Sequence, residues 1–102
     1  MTYVEMMEKE REKNLKELDG ELVAWTIPNR LDRPLCAIVK DKDGVFKSKE
    51  HSPFPYSYSK PKWHDLYPFV VREENVRATM QQFAFAGYDN AVAEIHWMKK
   101  GY

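Results

Sequence analysis

Residues 33–49 read RPLCAIVKDKDGVFKSK. The run Leu35-Cys36-Ala37-Ile38-Val39 is apolar and ends at Lys40, as expected of a buried strand. Asp41-Lys42-Asp43-Gly44 then predicts a tight turn, with Gly44 supplying the positive φ that such turns require. Val45-Phe46-Lys47-Ser48-Lys49 returns as the next strand. Upstream, ELVAWTIPN (21–29) holds Val23, Trp25, Thr26 and Ile27 before Pro28 stops the pattern. The centre of the chain is therefore expected to be a three-stranded antiparallel meander.

On the N-terminal side, Thr2 followed by Glu5 forms a capping box, and YVEMMEKEREKNLKEL (3–18) is rich in strong helix formers. Asp19-Gly20 is the expected end, with glycine at the C′ position. Glu5/Lys9 and Glu12/Lys16 stand in the favourable i,i+4 order. The helix's apolar residues sit at its two ends and are separated by the polar run EKEREKN (8–14). Such a helix docks by its ends or projects.

On the C-terminal side, SPFPYSYSKPKWHDLYPF (52–69) carries prolines at 53, 55, 61 and 68. Each proline lacks an amide donor and restrains its predecessor, which excludes a continuous helix or a central strand. The alternation of Phe54, Tyr56 and Tyr58 predicts an extended segment crossing the domain, followed by a short turn or helix at 62–67 and a return to the sheet at 69–71. ENVRATMQQFAFA (74–86) reads as a helix, with Val76, Met80, Phe83 and Ala84 at core spacing. Gly87 ends it, Asp89 can cap the next, and 91–100 is expected to be a last helix carrying Val92, Ile95 and Met98 on one face. The expected fold is a single α+β domain, 1–102: an N-terminal helix, the meander, a long Pro/aromatic crossing and two C-terminal helices packed on the sheet. Its predicted core is Leu22, Val23, Trp25, Ile27, Leu35, Ala37, Val39, Phe46, Val76, Met80, Phe83, Val92 and Ile95.

The chain's 102 residues suit one domain, and 43% apolar with 31% charged residues is a globular composition. Basic and acidic side chains balance at 16 each, so no global charge draws the chain to nucleic acid or an anionic membrane. The distribution is uneven: residues 1–21 carry a net −3 and residues 22–49 a net +3. No apolar run approaches the ~20 residues of a membrane span, and no signal-peptide core is present. A lone Cys36 within an aliphatic run reads as a buried small hydrophobe in a reducing, cytoplasmic setting.

Catalytic and cofactor motifs are weak. Cys36 sits among aliphatics rather than in the electropositive surroundings of a nucleophile. Glycines 20, 44, 87 and 101 do not cluster into a phosphate cradle, and no cofactor is implied. The histidines lack metal-ligand spacing, and the loop opening at Asp41 places Ser52 where a calcium loop needs glutamate. A helix-turn-helix across Gly87 would begin its second helix with DNAVAE, which offers no cation to base edges. A proline-type ligand lacks the P-x-x-P spacing.

What remains is the conjunction of aromatic and basic residues. The best reading is a small non-catalytic binding protein, an accessory or inhibitory factor of the kind phages encode, acting on another protein. Phe54, Tyr56, Tyr58, Trp63 and His64 would anchor the contact while Lys47, Lys49, Lys60 and Lys62 steer it. The same aromatics and lysines could instead stack and hold single-stranded nucleic acid. In a third reading the chain is a small enzyme using His64 or His51 beside Asp65 or Glu50. Against all three stands the reading that the Pro/aromatic stretch only wraps its own domain.

Overall fold

The computed structural model describes residues 2–27, 34–51, 62–66, 70–85, 93–99, 101 and 102. Among these residues the chain is an α+β fold with two helices and a five-stranded antiparallel sheet. Its elements are α1 (Tyr3–Lys16), β1 (Glu21–Ile27), β2 (Leu35–Lys40), β3 (Phe46–His51), β4 (Trp63–Asp65), α2 (Val76–Phe85) and β5 (Glu94–Trp97). A 3-10 turn, Glu73–Asn75, leads into α2. The sheet order is β4-β3-β2-β1-β5.

The expected meander is present as β1-β2-β3, but the sheet grows beyond it on both sides. Residues 63–65, expected in a turn or short helix, form β4 against β3. Residues 94–97, expected in the last helix, form β5 against β1, so the helix-turn-helix reading falls with that helix. The segment EIHW fits either period: β-favouring Ile95 and Trp97 alternate with Glu94 and His96. An open edge on β1 supplies the pairing that decides for strand. The return at 69–71 is realised by Val71, which bridges to Phe46. The Pro/aromatic crossing at 52–61 lies outside the described residues, as do Gly87, Asp89 and Val92.

Local chemistry explains where the elements start and turn. Thr2 Oγ1 accepts from the Glu5 amide at 3.3 Å and the Glu5 carboxylate accepts from the Thr2 amide at 3.4 Å, closing the predicted capping box. The helix stops earlier than expected, at Lys16 with Glu17 as C-cap. Gly20, expected as the C′ residue, instead has φ +117° at the entrance to β1, where a Cβ would lie 2.8 Å from the Lys40 carbonyl oxygen. In the β2–β3 turn Gly44 has φ +81°, and the Asp41 carboxylate accepts from the Asp43 and Val45 amides, each at 2.9 Å.

Strand pairing assigns the two faces of the sheet, because directly opposed residues project the same way. Ala24, Ile38 and Ser48 share one face with Cys36, Phe46, Ile95 and Trp97. Helix α2 covers it with Val76, Met80, Phe83 and Ala84. Leu22, Trp25, Leu35, Ala37, Val39, Lys47, Lys49, Trp63 and His96 project from the other face. A bulge at Val23 lets both Val23 and Ala24 reach the core, each fully buried.

This parity corrects the predicted core. Val23, Phe46, Val76, Met80 and Phe83 belong to the cluster beneath α2, and Ile95 packs against it half-buried. Leu35, Ala37 and Val39 are buried, but on the opposite face, while Cys36 and Ile38 take the places beneath α2. Leu22 and Trp25 are half-buried on that opposite face. The Ile27 side chain lies outside the described set.

One polar group stands out in the core. Ser48 is 1% exposed, and among the described residues its Oγ has no hydrogen-bond partner. A buried hydroxyl without a partner costs its desolvation. Ser48→Ala should therefore raise stability by about 1 kcal/mol, read as a higher urea midpoint at unchanged slope; a lower midpoint would show that the hydroxyl contributes.

Candidate functional site

Of the residues expected to form a binding surface, Phe54, Tyr56, Tyr58 and Lys60 lie outside the described set. The rest distribute over strands β3 and β4 and the residue before β4. Trp63 and His64 are neighbours on a strand and so point to opposite faces. Trp63 opposes His51 and joins Lys47 and Lys49 on the face away from α2, whereas exposed His64 opposes Glu50 on the other. Lys62 is exposed just before β4.

Trp63 is an anchor within the domain as well as part of this face. Its indole N–H donates to the Asn14 carbonyl of α1 at 2.9 Å, and its ring meets His51 edge-on with centroids 5.0 Å apart. Arg11, Asn14, Leu15 and Leu18 are half-buried at helical spacing, while Glu5, Met6, Glu8, Lys9 and Glu10 are exposed. The half-buried side chains thus form one stripe toward the C-terminal end of α1, where the helix docks, and Glu5, Met6, Glu8, Lys9 and Glu10 lie off that stripe. Trp63→Phe keeps an aromatic ring against His51 but removes the N–H donor and part of the ring volume. It should cost about 1 kcal/mol and speed amide exchange in α1 with little change in β2; unchanged α1 exchange would contradict this tether.

The lysines are held by ion pairs. Lys49 Nζ lies 2.7 Å from Asp65 Oδ1, and Lys47 Nζ lies 3.4 Å from Asp41 Oδ2. The Lys49 hydrogen bond holds the Asp65 carboxyl below its usual range, with Lys47 adding to the effect. For Asp41 the first cause is the Val45 amide, aided by Asp43 and Lys47. Both pairs are at the surface, where such contacts orient side chains more than they stabilise.

Two further residues, absent from the predicted set, complete the face. Trp25 and His96 oppose each other across β1 and β5, with ring centroids 4.8 Å apart and planes tilted by 36°. Their signal was hidden in the sequence because 94–97 reads equally well as helix. With Trp63, Lys47 and Lys49, they place aromatic rings and cations along one side of the sheet. His64, Glu50 and Asp65 do not form one cluster: Asp65 turns to Lys49, on the face opposite His64, and His51 is 6% exposed against Trp63.

Cys36 is buried, and its Thr26 neighbour satisfies its backbone: the Cys36 amide donates to Thr26 Oγ1 at 3.1 Å, and that hydroxyl donates back to the Cys36 carbonyl at 3.4 Å. Burial, with Glu50 nearby, pushes the thiol up to about 12. A thiol reagent at pH 8 should leave Cys36 unmodified in the folded protein and react fully in denaturant; rapid native labelling would overturn its assignment as a core residue.

Elsewhere, Glu73, Glu74, Arg77, Gly101 and Tyr102 line an open groove at the start of α2, where Tyr102 Oη donates to Glu73 Oε1 at 3.2 Å. Among the described residues no three His, Cys, Asp or Glu side chains gather as a metal site. No described helix is long and apolar enough to cross a membrane. Comparisons with protein-family models, curated proteins and solved structures find no match for the chain.

Proposed function

We propose that this chain is a small non-catalytic protein that acts by binding another protein, as an accessory or inhibitory factor in the cytoplasm. The observation that carries the reading is the sheet face away from α2. There Trp25, Trp63 and His96 supply rigid amphipathic rings, and Lys47 and Lys49 stand on the neighbouring strand. Aromatic side chains give contact area at low entropic cost, and surrounding cations steer an acidic partner toward the face. Lys47, whose side chain is 47% exposed, is free to serve that second role despite its Asp41 contact.

Single-stranded nucleic acid would use the same groups differently, with rings stacking on bases and lysines on phosphates. The acidic charge of the N-terminal region weighs toward a protein partner, since an acidic segment repels a phosphate backbone.

The test is capture from lysate with the tagged full chain, with and without nuclease, beside Lys47→Glu and, as a control on the far side of the molecule, Arg77→Glu. A defined protein should survive nuclease and be weakened about tenfold or more by Lys47→Glu while Arg77→Glu leaves it intact. Loss of all retained material on nuclease treatment would favour the strand-binding reading, and equal effects of the two substitutions would remove the face from consideration.

A further inference from the structure

The two edges of the sheet differ. At one edge β4 is three residues long, and its Trp63 is tied to α1. At the other, no described strand or helix pairs with the outer side of β5. Exposed edges are commonly protected by lysine, proline or a bulge. Glu94-Ile95-His96-Trp97 contains neither lysine nor proline, and its pairing with β1 is regular.

The backbone phase of this edge is fixed. The Met98 amide donates to the Val23 carbonyl at 2.8 Å, continuing the β1–β5 ladder by one residue. Hydrogen-bonding direction alternates along an antiparallel strand, so Met98, His96 and Glu94 turn their backbone groups toward β1. Ile95 and Trp97 turn theirs outward.

We propose that β5 is the seam of a two-fold homodimer, pairing antiparallel with β5 of a second copy about Ile95. In this register Ile95 exchanges both hydrogen bonds with Ile95 of the other copy, as its outward phase allows. Glu94 then opposes His96 of the second copy, and His96 opposes Glu94, so the two polar positions of the strand are self-complementary. Shifting the centre by one residue would set His96 against His96 and lose this match. The side chains needed are accessible: Glu94 is 73% and His96 43% exposed, and the two already approach within one chain at 3.7 Å.

A second observation points to the same edge. Phe85 and Met98, 67% and 57% exposed, are two of the four exposed large apolar side chains among the described residues. Both flank β5: Met98 follows it directly, and Phe85 follows Ala84, whose carbonyl accepts from Ala93 at 2.9 Å. Antiparallel pairing brings the Phe85 end of each copy beside the Met98 end of the other, with Phe85 on the α2 side of the sheet and Met98, in phase with His96, on the opposite side, so that exposed apolar side chains flank the seam on both faces. The result is one continuous ten-stranded sheet, with α2 of both copies on one face and both binding faces on the other. A two-sided partner would be held at two points.

Sedimentation equilibrium of the full-length chain over a concentration series tests the seam, with thermal melts confirming that each variant folds. Wild type should be in monomer–dimer equilibrium. Glu94→Lys sets a cation against His96 twice per dimer and should weaken association about tenfold, while Glu94→Lys combined with His96→Glu exchanges the charges and should restore it. A wild type that stays monomeric throughout, a dimer indifferent to Glu94→Lys, or a double variant no better than the single would each overturn the proposal.

Discussion

Burial of β2 on both faces is the constraint from which the rest of this structure follows. Leu35 to Val39 are all buried, with Ala37, Ile38 and Val39 fully removed from solvent. Flanking strands satisfy the backbone of β2 on both sides, and side chains must cover it above and below. Above, α2 does this with Val76, Met80 and Phe83. On the other face Trp25 and Lys49 stand opposite Ala37, Leu22 and Lys47 stand opposite Val39, and α1 is tied to the same side of the sheet through the Trp63 bond to Asn14.

The proposed binding face is built from side chains that also hold the domain together. Trp63, held by Asn14 and His51, is already ordered, so under the proposed reading little conformational entropy is lost when a partner arrives. The Lys49–Asp65 pair and the Trp63 bond to Asn14 further fix the β3–β4 end. The opposite end, with Trp25 and His96, depends on β5 being a strand. An element at the sheet's margin therefore contributes a side chain to the face and, among the described residues, an open edge.

Much of this was legible in the residues. The capping box, the β2–β3 turn at Asp41–Gly44, the buried thiol and the core spacing of α2 each rest on local chemistry that the fold preserves. Long-range facts were not legible. A strand apolar at every position carries no period-2 signal, so nothing in Leu-Cys-Ala-Ile-Val shows which residues face α2, and the bulge at Val23 shifts the phase again. EIHW becomes a strand only because β1 has an open side, which is a property of the assembled sheet. His64 parts from Trp63 for the same reason: a two-residue neighbourhood read as a cluster in a loop is divided once the segment pairs with β3.

Amide hydrogen exchange, followed residue by residue, tests the central place of β2 most directly. The account predicts that Cys36 to Val39 exchange only through global opening and are the slowest in the chain, while amides in the first turns of α1 exchange with free energies close to zero. Rapid exchange in β2, or protection in the first turns of α1 equal to that of β2, would contradict a fold organised around this strand.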